Sequence, residues 1–328
     1  MLPPRLTLAQ CPTPLQPLER LSAQFGGPTI WVKRDDLTGS VLSGNKIRKL
    51  EFTLAQAQAE GCDTIITCGG LQSNHCRATA LLCAQLGFRC VLVLRGEPEA
   101  PYDGNLLLDW LAGAEIRTFK TGRYQQELPA LLAQAAADCK ASGRKPFVIP
   151  TGASDGIGIW GYIAACDELR SDFIAQGIAP RHIVCATGSG GTQGGLSAGV
   201  ALYGIEATVW GIAVCDDEKY FQDKVHADLE DWQRRYQTTL PLDMVNVRVI
   251  DAYIGPGYGQ AGPEVYETIA LAARTEGLVL DPVYTGKAFH GLIEELKAGR
   301  FDDSNDVVFV HTGGVFGLFP HRGQFDYR

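Results

Sequence analysis

With 328 residues, 45% hydrophobic and 20% charged, the chain has the make-up of one large or two ordinary packed domains, not of a disordered polypeptide. A formal net charge of −8 without any Lys/Arg run argues against general nucleic-acid or membrane-surface binding and leaves only local basic sites for small anions. No segment approaches the ~18 uninterrupted apolar residues of a membrane span, and the opening MLPPRLTLAQCPTPL has no signal-peptide core.

In chain order, TIWVK (29–33) reads as a strand and KIRKLEFTLAQAQAEG (46–61) as a helix. Strand DTIITC (63–68), helix SNHCRATALLCAQLG (73–87), strand RCVLVL (89–94) and helix GNLLLDWLAG (104–113) continue the alternation. Strand AEIRTF (114–119), helix QQELPALLAQAAADCKASG (125–143), strand PFVIP (146–150) and helix GIWGYIAACDELRSDF (158–173) come next. HIVCAT (182–187), ATVWGIAV (207–214), VNVRVI (245–250) and DVVFVH (306–311) are further strands. Helical patterns fill TQGGLSAGVALYG (192–204), VYETIALAARTEG (265–277) and AFHGLIEELKAG (288–299), and several helices end in a glycine suited to a left-handed C-cap. Alternating β and α elements predict an α/β fold with parallel sheets covered by helices on both faces. So many strands predict two α/β layers with a cleft between them. Residues 50–158 form a smaller inserted domain; 1–49 and 159–328 form the larger one.

The ten cysteines lie mostly in apolar runs without C-x-x-C spacing, so reduced thiols, no metal centre and a cytoplasmic location are expected.

Three segments carry chemistry. In SGNKIRKLE (43–51), Gly44 and Asn45 allow a sharp turn that sets Lys46 in the first turn of a helix. A cation there opposes the helix dipole, which favours a neutral, nucleophilic amine or an imine; the bland alternative is a surface lysine. ATGSGGTQGG (186–195) follows a strand and opens a helix, so its amides, with the hydroxyls of Ser189 and Thr192, suit a phosphate. Gln193 breaks G-x-G-x-x-G at its third glycine; a nicotinamide dinucleotide, with Asp216 or Asp217 on the ribose, and a plain tight turn stay as alternatives. In GGLQSNHCR (69–77), Ser73 and Asn74 stand at a strand-to-helix junction, either as a simple N-cap or as a cradle for an amino-acid carboxylate, with His75 beside them as a donor or proton shuttle. GPGYG (255–259) and DPVYTGK (281–287) offer Tyr258 and Tyr284 from constrained loops, and HTGG (311–314) puts Thr312 at a strand's carboxyl edge.

Together, PTPL (12–15), KRDDLTG (33–39), GNKIRKLE (44–51), LQSNH (71–75), GSGGT (188–192), GPGYG (255–259), DPVYTGKA (281–288) and HTGG (311–314) resemble the fold-type II (tryptophan synthase β-like) pyridoxal-phosphate enzymes. Within them, the chain is similar to the D-cysteine desulfhydrase/1-aminocyclopropane-1-carboxylate deaminase family. The resemblance spans nearly the whole chain in the expected order. It implies two domains with open, twisted, mostly parallel sheets, pyridoxal 5′-phosphate as cofactor and a homodimer. It implies Lys46 as the Schiff-base lysine with Asn45 beside it, and Asn74 on the cofactor's phenolic oxygen. Gly188, Ser189, Gly190, Gly191 and Thr192 would hold the phosphate, and Thr285 would face the pyridine nitrogen, with Thr312 near by. Ser73, Asn74 and His75 would receive the substrate carboxylate. Tyr258 and Tyr284 would flank the reacting carbon, so that Lys46, Tyr284, Ser73 and Tyr258 form the catalytic set. Ser43, VFGLF (315–319) and LRGEPEAPYDGN (94–105) depart from the usual family pattern.

Deaminase members carry glutamate in a VYEG motif, whereas VYTG stands here as in the desulfhydrases. A carboxylate would keep the ring nitrogen protonated and the cofactor a strong electron sink. A hydroxyl leaves a weaker sink, adequate when a good leaving group sits on the β-carbon. The expected activity is therefore β-elimination of a small amino acid, D-cysteine first, giving pyruvate, ammonia and hydrogen sulfide. L-cysteate sulfo-lyase chemistry is the nearest alternative and would require a sulfonate-binding cation in the cleft, which the sequence does not place. Ring-opening deamination, a non-catalytic cofactor or amino-acid sensor, and a nicotinamide oxidoreductase follow.

Overall fold

The computed structural model describes residues 2–327. The elements run β1 (Leu15–Pro17), α1 (Glu19–Phe25), β2 (Thr29–Lys33), α2 (Lys46–Ala59), β3 (Thr64–Gly70), α3 (Asn74–Leu86), β4 (Arg89–Arg95) and α4 (Gly104–Leu111). There follow β5 (Glu115–Phe119), α5 (Thr121–Ala141), β6 (Pro146–Val148), α6 (Trp160–Gln176), β7 (His182–Thr187) and α7 (Gly191–Leu202). The chain closes with β8 (Thr208–Ala213), α8 (Glu218–Tyr236), β9 (Arg248–Ile250), α9 (Pro263–Glu276), α10 (Thr285–Lys297), β10 (Asp306–Val310) and α11 (Val315–Leu318).

Two sheets form, one ordered β1-β2-β10-β7-β8-β9 and the other β5-β4-β3-β6. Every strand pair is parallel except β1 with β2. The central strands are buried along almost their whole length, as strands covered on both faces must be. Their apolar runs are the ones recognised in the sequence, and each expected strand and helix forms within a few residues.

Four elements escaped that reading. β1 is a three-residue edge strand, α1 spans seven residues and α11 four, all too short to show a period. The fourth, α8, is long, but only Phe221, Val225, Leu229 and Trp232 form its buried apolar stripe, and charged residues surround them.

Small residues draw the helices together at the site. A Cβ on Gly161 would lie 2.6 Å from the Arg48 backbone, and one on Gly195 would lie 2.5 Å from the Ile159 carbonyl. Thus α6 seats directly against α2 and α7. Helix α2 serves both cores: Ile47, Leu50 and Leu54 pack with the smaller sheet, while Phe52 stacks on Trp160 of α6. The expected domain division at residue 50 falls inside this helix.

Candidate active site

The carboxyl ends of β3, β4 and β7 open onto one cavity of about 540 Å³, a size suited to a cofactor with a small ligand. All the expected site residues line it except Gly191 and Thr285.

Lys46 is the first residue of α2. Its Nζ donates to Asn45 Oδ1 at 2.9 Å, and Asn45 Nδ2 donates to Thr192 Oγ1 at 2.8 Å, tying the lysine to the glycine loop. Burial and the nearby Arg77 charge push the Lys46 ammonium down to about 8, against a smaller pull from Asp281. Arg77 is itself buried and donates to the Ser43 carbonyl at 2.6 Å, behind the turn that presents Lys46.

The loop after β7 turns into α7 through Gly190 at φ 81°, a conformation glycine adopts freely. Ser154 fastens it: its hydroxyl accepts from Gly191 N at 3.1 Å and lies 2.8 Å from Ser189 Oγ. Gly191 is therefore a close-approach residue behind the loop rather than part of the wall, since a Cβ there would meet Ser154 Oγ at 2.5 Å. Lys49, one turn past Lys46, is fully buried and donates to the same Ser154 hydroxyl at 3.2 Å. Burial, then the charge of Lys46, holds its ammonium well below the ordinary lysine value. A buried amine without a bonded carboxylate, which a nearby anion would bring back to the ammonium form, beside a helix N-terminus rich in orphan N–H donors, fits a phosphate.

Ser73 caps α3, accepting from Cys76 N at 3.2 Å, so the capping alternative holds while the residue still lines the cavity. Asn74 Oδ1 accepts from Asn105 Nδ2 at 2.9 Å, which orients the Asn74 amide and leaves its NH₂ as the group free to meet a ligand oxygen. His75 departs from its expected role as a donor. Thr67 spends its hydroxyl proton on the Ile149 carbonyl, so His75 Nε2, 2.7 Å from Thr67 Oγ1, must carry the ring proton. Nδ1 is left as a buried acceptor without a partner. Burial, then Lys46 and Lys49, push this imidazole well below its usual range, so it stays neutral.

The Tyr258 and Tyr284 hydroxyls meet at 2.5 Å across the cavity, and Lys46 Nζ lies 5.9 Å from the Tyr284 ring centroid. Burial, with Tyr258 close by, raises the Tyr284 phenol well above its ordinary value. Thr285 is fully buried: its hydroxyl donates to Asp281 Oδ1 at 2.8 Å and accepts from Asp281 N at 2.9 Å. Asp281 also takes the amides of Val283, Tyr284 and Thr285. This carboxylate shapes the turn, and Thr312 is the threonine at the β10 end that reaches the cavity. Of the two alternative ribose-binding acids, Asp217 caps α8 through Tyr220 N at 2.8 Å and Asp216 lines the cavity, and Gln193 is buried with its amide on the Arg248 carbonyl.

Sequence reading missed Lys49, Asn105, Asp281, Lys287 and Arg95. Lys49 follows Lys46 by three residues on one helix face, a spacing visible in the sequence. Asp281 stands in the DPVYTGK motif and bonds Tyr284 and Thr285 within four residues, whereas Asn105, Lys287 and Arg95 reach the site only by tertiary contacts.

The sequence matches the family model "Pyridoxal-phosphate dependent enzyme" over residues 6–313. It is 42% identical over 319 residues to a putative 1-aminocyclopropane-1-carboxylate deaminase of Thermotoga maritima, covering 96% of this chain and 97% of that one. It is 36% identical to a D-cysteine desulfhydrase of Serratia proteamaculans, covering 98% and 97%. The crystal structure of an ACC deaminase homologue superposes with a TM-score of 0.89 at 36% identity, covering 98% of this chain and 95% of that one. The chain therefore belongs to the pyridoxal-phosphate-dependent enzymes of fold type II, in the D-cysteine desulfhydrase/1-aminocyclopropane-1-carboxylate deaminase family.

Proposed function

We propose that this enzyme catalyses β-elimination from a small amino acid, with D-cysteine as first substrate and pyruvate, ammonia and hydrogen sulfide as products. The observation that carries this reading is that Lys46 shares one cavity with the paired hydroxyls of Tyr258 and Tyr284, its Nζ 5.9 Å from the Tyr284 ring centroid. Lys46 would hold the cofactor, and its free amine would take the proton from the substrate's Cα. Bound pyridoxal phosphate supplies the electron sink for the carbon that loses this proton.

The remaining roles belong to the chain. The amides and hydroxyls of residues 188–192, with Lys49 behind Ser154, hold the phosphate. Asn74, oriented by Asn105, donates to the cofactor's ring oxygen, and the α3 N-terminus at Ser73–His75 receives the substrate carboxylate. Thr312, which reaches the cavity where Thr285 does not, would be the hydroxyl to meet the ring nitrogen. Either threonine is uncharged, and Asp281, the carboxylate bonded to Thr285, is spent on its own turn, which favours elimination of a leaving group over ring opening. Tyr284 keeps its proton and donates it to the departing sulfur. A cytoplasmic homodimer with the domain division at residues 50 and 158 belongs to the same proposal.

The test is an absorbance scan before and after D-cysteine, L-cysteine, L-cysteate and 1-aminocyclopropane-1-carboxylate. Absorbance near ~410–430 nm that is absent from Lys46→Ala, with pyruvate formed from D-cysteine, is the expected result. No such band after cofactor addition would sink the assignment of Lys46.

A further inference from the structure

Helix α4 exposes most of its apolar side chains and buries its polar ones. Leu107, Trp110 and Leu111 face solvent, the last at 61% exposure, while Asn105 and Asp109 are fully buried. This inverts the amphipathic pattern of a surface helix. Four residues apart, Asn105 and Asp109 share one face of the helix, which packs against α3.

Asn105 has a clear task, since its NH₂ donates to Asn74 Oδ1 and to the Gln72 carbonyl. Asp109 has no such bond: among the described residues, neither of its carboxyl oxygens has a protein partner. The same holds for Nε and Nη1 of Arg77, on α3. Burial raises the Asp109 carboxyl well above its ordinary value against the pull of Arg77, and lowers Arg77 to about 10 against the pull of Asp109. The two are therefore neighbours by charge without direct contact, and a water between such groups finds the two to four polar partners that buried water needs.

Arg77 stands between this helix and the lysine. Its Nη2 donates to the Ser43 carbonyl, and its guanidinium carbon lies 4.9 Å from the Phe316 ring centroid. In the turn that follows, Gly44 N donates to Thr38 Oγ1 at 2.9 Å and Asn45 N to the Thr312 carbonyl at 3.2 Å, just before Lys46. Arg77 acts on the Lys46 charge, whereas Asp109 does not act on it directly.

We infer that Asp109 is a positioning residue: it steadies the free edge of the Arg77 guanidinium, which in turn fixes the Ser43 turn that presents Lys46. This rests on Lys46 being the cofactor lysine, as proposed above. In either protonation state the carboxyl offers an acceptor oxygen to N–H groups that no other residue bonds. Without it, a planar cation with one bonded edge is free to turn away from the Ser43 carbonyl. Stability alone does not explain such a pair, because buried charges contribute little over apolar residues of similar volume.

The experiment uses the holoenzyme and three variants, Asp109→Leu, Arg77→Met and the two combined. Urea midpoints, amide exchange of segment 43–46 by mass spectrometry, and kcat for pyruvate formation from D-cysteine are measured on each. Breaking a buried pair from one side should lower the urea midpoint of both single variants, and replacing both partners should restore most of it. Exchange at Gly44 and Asn45 should nonetheless rise about tenfold in all three. With it, kcat should fall about tenfold while KM stays within about threefold. Exchange at the parental rate in Asp109→Leu, or exchange and kcat that recover together with stability in the double variant, would overturn the proposal. Asp109→Ala, whose cavity admits water to Arg77, takes the place of Asp109→Leu if that variant does not fold, with the same expectation. Cofactor absorbance that survives Lys46→Ala would instead overturn the lysine assignment, and the exchange rates would still decide whether Asp109 holds the turn.

Discussion

The Lys287 ammonium and the Gly257 carbonyl meet at 2.8 Å, next to the tyrosine that faces the substrate cavity. The same Nζ donates to the Ile254 carbonyl at 2.7 Å and the Val214 carbonyl at 3.2 Å, and the lysine is fully buried. One side chain from α10 thus satisfies three main-chain acceptors and pins the 254–258 loop to the end of β8. Burial lowers its ammonium to about 8, against the pull of Cys215 and Asp281.

Lys287→Met is therefore expected to leave carbonyls short of a donor and to lower stability by about 3 kcal/mol. Because Tyr258 rides on this loop, kcat should fall at least about tenfold while the cofactor absorbance stays. Urea unfolding and steady-state kinetics on the same preparation would check both. An unchanged kcat would show that the loop holds Tyr258 without the lysine.

Tyr284 cannot serve as the base at neutral pH, because burial and Tyr258 keep its phenol protonated. Tyr284→Phe is expected to lower kcat by about a hundredfold through loss of a proton donor. Exchange of the Cα proton of D-alanine with deuterated solvent, followed by NMR, should persist in this variant and vanish in Lys46→Arg. Loss of exchange in Tyr284→Phe would reverse the two roles.

The Lys46 shift sets a pH dependence. A lysine at its ordinary 10.5 gains free amine about tenfold per pH unit through the whole neutral range. With the ammonium lowered to about 8, the free amine is already appreciable at pH 7 and its growth ends near pH 9. The rate at which cofactor-free protein takes up pyridoxal phosphate should therefore rise about fivefold from pH 7 to 8 and level off by about pH 9. Arg77→Met removes the second cause of the shift and should move the midpoint upward. Stopped-flow absorbance at each pH reads both effects, and a rate still climbing tenfold per unit above pH 9 would contradict the lowered amine.

The parallel strands were readable because each is a short β-branched run between glycines, and the site because each strand's carboxyl end carries its own polar signature. Lys46, the glycine loop, Ser73 and the two tyrosines sit in contiguous motifs of that kind. Arg95 belongs to an ordinary strand, LVLR, and only the folded chain shows Tyr258 lying across it. Thr285 shows the opposite failure: its motif is local, but the direction of its hydroxyl depends on Asp281, which the tight turn folds back onto it. The proton on His75 was equally out of reach, because it is fixed by Thr67 and Ile149 from separate strands and loops.

The last dependence runs from a buried ion pair to the catalytic helix. Asp35 is fully buried and accepts from Arg48 Nε at 2.8 Å, Arg48 Nη2 at 2.7 Å, Tyr162 Oη at 2.6 Å and Thr13 Oγ1 at 2.7 Å. Burial alone would raise its carboxyl, but the charge and hydrogen bonds of Arg48, with Tyr162, outweigh this and hold it below the ordinary value. A depressed carboxylate contributes stability above its unfolded value of 3.8 and loses it as pH falls through the lower folded value, so its share of acid unfolding lies below about pH 4. Asp35→Asn should remove that acid-sensitive contribution. It should also cost about 3 kcal/mol at neutral pH, the low end for a broken buried pair, because Glu168 still holds Arg48 at 2.9 Å. Arg48 lies two residues beyond Lys46 on α2, so the variant should also take up cofactor more slowly at temperatures where it remains folded. Urea melts at pH 3 to 7 and the cofactor uptake rate would measure the two effects, and equal stability of variant and parent at neutral pH would show that Glu168 alone secures the helix.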